Sequence, residues 1–218
     1  MNHHKLLGFG EKLYDLLQRY DARFSLDHKI LIMQLLARVT ALHRLSILSI
    51  LGFYAYMLKF LTHHQVRAPA ILAVLAQSAH ALTPPDALTP AIHKLAHEFV
   101  HPGVGPEIVA AGLNAIREIC RCQPWAMEDD LLGDLLAYWK SRDKGVMVAA
   151  RGLLQLYREV NPGMLKRRER GKLATMDMTK GNGPTPFGYV DQPAEDIDGL
   201  VVCLSLSVSR VGMNCTPP

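Results

Sequence analysis

Four amphipathic segments begin near positions 27, 68, 106 and 145, so that successive starts lie 41, 38 and 39 residues apart. Each carries apolar residues at spacings of three and four, the requirement for one buried face of a helix. The first, from Asp27 to His43, holds Ile32, Leu35, Leu36, Val39 and Leu42. The second, from about Ala68, holds Ile71, Leu75, Ala79 and Leu82, and the third Val109, Leu113, Ile116 and Cys120. The fourth, from about Lys144, holds Val146, Ala149, Ala150, Leu153, Leu154, Tyr157 and Val160. Further helices fall between them: one over Leu45 to Thr62, one that ends at His101-Pro102-Gly103, and one opened by Glu128, Asp129 and Asp130. Acids in a first turn are stabilised by the helix dipole. A period of about 40 residues with two helices per unit is that of HEAT or armadillo solenoids, in which no hairpin buries its apolar face without a neighbour. An irregular helical bundle satisfies the same spacing.

Prolines punctuate the pattern, because each lacks an amide donor and restricts the residue before it. Thr83-Pro84-Pro85 closes the second segment, and Thr89 with Pro90 reads as an N-cap followed by the first helical residue. Gly105-Pro106 opens the third segment, Gln123-Pro124 closes it, and Asn161-Pro162 predicts a short basic helix. From Met176 to Pro193 the chain is rich in Gly and Pro, and Asp191, Glu195, Asp196 and Asp198 follow. The expected organisation is therefore an all-α, HEAT/armadillo-like α-solenoid over residues 1–172 and a disordered or extended C-terminal arm over 173–218.

Composition supports this. With 49% hydrophobic and 20% charged residues the chain can bury a core. Only 7% are aromatic, and no strictly alternating β-branched run marks the strands of a sandwich or barrel. Four cysteines, unevenly placed, do not make a disulfide framework, so a reducing compartment is expected. The uncharged stretch Leu45 to Leu58 is shorter than the ~20 residues of a membrane-spanning helix. The N-terminus carries no signal-peptide pattern, and a cytosolic or nuclear protein is expected.

His97-Glu98-Phe99-Val100-His101 fits H-E-x-x-H, in which two His one helical turn apart hold zinc and the Glu acts as base. A zinc hydrolase is a remote alternative, since a third ligand is needed and Glu118, which could be proposed, lies on a helix whose apolar stripe accounts for its neighbours; a helix-end His beside the dipole is the plainer reading. Cys120-Arg121-Cys122 has the wrong spacing for a zinc ribbon, and His63-His64 reads as a solvated turn. No active site, cofactor or small-molecule substrate is expected. The charged feature that stands out is Lys166, Arg167, Arg168, Arg170 and Lys172, broken only by Glu169: a charge of +4 over seven positions, equal to that of the whole chain. Such a cluster can hold phosphates, with steep salt dependence. A solvated terminal helix or an import signal is the alternative reading of the same run. No aromatic residue is interleaved with the cations, which argues against sequence-specific RNA readout.

Several ordered runs bring a family into view: Leu36-Ala37-Arg38-Val39, Gln77-Ser78-Ala79-His80, Gly112 to Cys120, Pro124-Trp125-Ala126-Met127, Lys144 to Arg151, and Asn161 to Leu165 with Arg170-Gly171-Lys172. Over Gly10 to about Lys172 the chain resembles the Sda family (severe depolymerisation of actin), nucleolar factors for assembly and export of the large ribosomal subunit. The resemblance implies a non-catalytic α-solenoid in the nucleus and nucleolus. It would dock on pre-large-subunit ribosomal particles, contacting pre-rRNA and assembly factors, with a link to actin organisation. The family needs no metal at His97 to His101. Its members are longer, and Gly199 to Pro218 departs from their pattern, as in a truncated or mis-spliced product. An open first repeat would favour self-association. A nuclear-transport or cytoskeletal adaptor that never touches RNA is the alternative from another class.

Overall fold

A computed structural model describes residues 3–42, 47–172 and 175–176. Eight helices occupy this span: α1 (His3–Arg19), α2 (Leu26–Leu42), α3 (Ile47–Met57), α4 (Ala68–Ser78), α5 (Pro85–Phe99), α6 (Pro106–Cys122), α7 (Asp129–Ala137) and α8 (Lys144–Val160). Short 3₁₀ turns lie at Leu58–Phe60, Pro124–Ala126, Tyr138–Lys140 and Pro162–Met164. The even-numbered helices start at Leu26, Ala68, Pro106 and Lys144, which gives intervals of 42, 38 and 38 residues. They stack in order, α2 on α4, α4 on α6 and α6 on α8, while α1, α5 and α7 pack on their own partners and α3 bridges α1 and α5. This is a two-layer solenoid, and the choice between repeat array and irregular bundle is settled in favour of the array. Among the described residues no helix is long and apolar enough to cross a membrane.

The stacking buries one continuous core that runs from Leu17 in α1 through Met33, Leu75, Ile92, Ile116 and Leu153 to Leu165. Helix α6 shows why. Its apolar residues Val109, Leu113, Ile116 and Cys120 face inward as the spacing requires, and Ala115 and Ile119 complete the stripe toward neighbours on the other side. Burial pushes the Cys120 thiol up to about 12, against a smaller opposing effect of its hydrogen bond with Tyr157, so this cysteine is an inert core residue.

Polar side chains tie each repeat to the next by reaching helix-end and linker carbonyls that no helical amide can satisfy. Buried Gln123 donates from Nε2 to Thr83 O at 2.5 Å and to Ala81 O at 3.3 Å. Tyr138 OH donates to Val100 O, Tyr157 OH to Pro124 O and Thr89 Oγ1 to Ala126 O, each at 3.1 Å. Within the second hairpin, Tyr54 OH donates to Ser78 O at 2.8 Å.

Three expectations are corrected. Helix α4 ends at Ser78, whose Oγ turns back to Leu75 O, so Leu82 lies beyond the helix and is exposed. Helix α5 begins at Pro85, a turn before Thr89, which is therefore internal and no N-cap; Pro90 sits inside the helix. The short basic helix after Asn161 is a single 3₁₀ turn. Like charges four apart, Lys166 with Arg170 and Arg168 with Lys172, oppose a helix there. Helix α1 is an addition to the predicted elements: Leu17 is fully buried, and Leu13 and Tyr14 pack against the core. The arm expected over 173–218 lies outside the described residues, apart from Thr175 and Met176, which are helical.

Glycines report on how closely the layers approach. A Cβ on Gly112 in α6 would sit 2.7 Å from Phe99 Cβ in α5, whereas one on Gly133 in α7 would meet nothing nearer than Lys166 Nζ at 3.9 Å. Helix propensity favours Ala over Gly by up to about 1 kcal/mol. Gly133→Ala should therefore stabilise the fold by about 0.5–1 kcal/mol in urea denaturation, while Gly112→Ala should destabilise it by about 1–2 kcal/mol, because overpacking outweighs propensity. Equal effects at both positions would contradict the close α5–α6 packing.

Candidate nucleic-acid interface

The basic cluster leaves the solenoid at its C-terminal end. After α8 the chain makes the Pro162–Met164 turn, buries Leu165 and folds back, with Glu169 N donating to Lys166 O at 2.7 Å. Gly171 has φ +83°, in the left-handed region that glycine adopts without strain, and it links Arg170 to Lys172. Lys166, Arg167, Arg168 and Lys172 are exposed. None of these four makes an ion pair among the described residues. Arg167, Arg168 and Lys172 line an open hollow of about 480 Å³ with Gly171, Thr175 and Met176.

The fifth cation differs. Arg170 Nε donates to Leu165 O at 2.7 Å and its Nη2 to Gly163 O at 3.1 Å, so its guanidinium staples the turn that presents the others. Arg158 in α8 does the same from the other side, donating from Nε to Glu169 O at 2.6 Å. The sequence pooled Arg170 with its neighbours because a charge count cannot tell a solvent-facing guanidinium from one satisfied by carbonyls.

A second concavity adjoins the first. Leu136, Trp139, Lys140, Leu154, Arg158, Arg168 and Glu169 line a groove of about 460 Å³ between the end of α7, α8 and the 167–169 turn. Trp139 is 38% exposed, and Lys140 Nζ lies 5.7 Å from the centre of its indole. The fold thus supplies the aromatic residue that the basic run lacks in sequence, and Arg168 borders both concavities.

The H-E-x-x-H pattern is not assembled as a zinc site. Helix α5 ends at Phe99, so His101 lies outside the helix and the one-turn relation to His97 is lost. His97 is 88% exposed, and His101 Nδ1 accepts from Gly103 N at 3.2 Å. Glu118 is held by Arg117 at 3.0 Å and Arg121 at 2.8 Å, which removes it as third ligand. His63 is not a solvated turn residue: its ring packs edge-on to that of His101, and Nδ1 lies 3.5 Å from Glu98 Oε2. Among the described residues no group of three His, Cys, Asp or Glu could hold a metal ion.

The division of labour within the cluster is testable. Arg170→Ala should cost about 1.5–3 kcal/mol of stability, the value of hydrogen bonds that involve a charged group. Arg167→Ala should change it by less than about 0.5 kcal/mol. Urea titrations of the two variants that coincide would remove the staple role from Arg170.

Known proteins place this architecture. The family model described as "SDA1, HEAT repeat" matches residues 4–142. Protein sda1 of Schizosaccharomyces pombe is 46% identical over 198 residues, covering 90% of this chain and 27% of the relative. Protein SDA1 of Chaetomium thermophilum is 46% identical over 195 residues, 88% of this chain and 25% of the relative. The SDA1 homolog of Dictyostelium discoideum is 38% identical over 197 residues, 90% of this chain and 25% of the relative. A stretch of 198 among 218 residues takes in the basic cluster as well as α2 to α8. The chain spans about a quarter of the length of these relatives. With the family model matched over more than half of its residues and a HEAT-type solenoid as its fold, the chain belongs to the SDA1 family.

Proposed function

We propose that the chain is a non-catalytic scaffold segment in large-ribosomal-subunit biogenesis. It binds pre-large-subunit particles through pre-rRNA phosphates and assembly factors, in the nucleolus and nucleus, and so serves their maturation and export. A contribution to actin organisation would run through protein contacts of the same solenoid. What supports the reading is membership of the SDA1 family together with one observation: Lys166, Arg167, Arg168 and Lys172 are exposed at the end of the array, without ion-pair partners among the described residues. Phosphates are the partners such a group suits, because each one neutralised releases condensed counterions. A rigid helical array presents the cations at fixed spacing, which lowers the entropy lost on docking.

Affinity purification of the tagged chain from nuclear extract, with and without RNase, tests this. Large-subunit precursor rRNA and its assembly factors should co-purify. Lys166→Glu/Arg167→Glu/Arg168→Glu should abolish most of that association while circular dichroism shows unchanged helicity, and Arg170 is kept so that the turn stays intact. Undiminished recovery by the triple variant would exclude the cluster, and recovery of proteins alone, insensitive to RNase, would favour an adaptor that does not contact RNA.

A further inference from the structure

The groove beside the basic cluster combines three features that an unpaired nucleotide requires. Its walls are apolar where Leu136 and Leu154 line it, so a base entering it sheds water at little cost. Trp139, 38% exposed, contributes an indole to the groove lining, the kind of side chain on which unstacked bases are held in single-stranded recognition. Three cations, Lys140, Arg158 and Arg168, stand against one acid, Glu169, so the rim carries a net charge of +2 and suits an anionic ligand. A volume of about 460 Å³ falls within the range of sites that take a small-molecule-sized group. Arg168 also borders the hollow formed with Arg167 and Lys172, so one guanidinium separates the place for a base from the place for its neighbouring phosphates.

We propose that the Trp139 groove binds an unpaired nucleotide of single-stranded RNA, with its base against the indole and the adjoining phosphate at Arg168. The inference rests on the phosphate-contact reading of the cluster and adds to it: the preferred RNA is single-stranded beside the docking point rather than continuous duplex. A-form duplex keeps its bases stacked internally and can engage only the cations. Glu169 can accept a hydrogen bond from a neutral base's amino group or a ribose 2′-hydroxyl, whereas the carboxylate side chains of an acidic peptide would meet like charge there. The groove therefore favours RNA over an acidic protein segment.

The test compares two probes, a fluorescently labelled adenylate decamer and a blunt RNA duplex of equal charge, with the full chain at low salt. The chain should bind the decamer more tightly. Trp139→Ala should weaken decamer binding about tenfold, the lower part of the range for loss of one stacked base, and leave duplex binding unchanged. Trp139→Phe should retain most of the affinity. In a Trp125→Phe background, where Trp139 is the remaining tryptophan, the decamer should quench its fluorescence and the duplex should not. This readout needs no change at Trp139 and stands even if Trp139→Ala disturbs the turn. Decamer binding unaffected at Trp139, with no quenching, overturns the inference and leaves the phosphate reading in place. Failure of the unmodified chain to bind either RNA removes both. Trp139-dependent binding of an acidic peptide that RNA cannot displace overturns it in favour of a protein partner.

Discussion

A hairpin of two short helices exposes as much apolar surface as it hides, so none of the four hairpins here is stable by itself. Stability comes from stacking α2, α4, α6 and α8 in order, with α1, α5 and α7 packed on α2, α6 and α8 and α3 lodged between α1 and α5. Everything else in the structure is subordinate to that stack. The odd helices pack against it, Pro85, Pro106 and Pro124 stand at the first positions of α5, α6 and the turn after α6, and side chains of one repeat satisfy carbonyls of another. The array is open where α1 and α2 present Phe9, Leu16, Leu31 and Leu35 to solvent, with Leu31 62% exposed.

The C-terminal edge shows how the stack becomes a presenting surface. Helix α8 packs along α6 and anchors Arg158, which reaches forward to Glu169 O, while Leu165 inserts into the core and Arg170 reaches back to Leu165 O. Two guanidiniums and one leucine thus fix a turn that would otherwise be driven apart by its own charge. Lys166, Arg167, Arg168 and Lys172 are held outward on it as a group. Fixing like charges close together is costly in water at low salt, and a polyanion relieves that cost.

The parts of this account legible in the sequence are those governed by local chemistry. The helix starts at Pro106 and Lys144 and the end at Cys122 follow from proline geometry and apolar spacing, and the repeat interval follows from them. Contacts between distant positions were not legible. Thr89 reads as a cap because Pro90 follows it, yet its hydroxyl serves Ala126 O 37 residues away. Trp139 lies far from the basic run in sequence and beside it in space, and Arg170 looks like its neighbours until its carbonyl partners are seen. The H-E-x-x-H pattern failed for the converse reason: spacing alone cannot show that the helix stops at Phe99, before its second histidine.

The claim at the centre of this account is that the exposed cations of one turn hold RNA phosphates. The slope of log affinity against log salt concentration for binding a single-stranded RNA measures it most directly. Three or four phosphate contacts predict a slope of about −2 to −3, reduced toward zero when Lys166, Arg167 and Arg168 are replaced by glutamate. A slope near zero in the unmodified chain, or one that the replacement leaves unchanged, would contradict it.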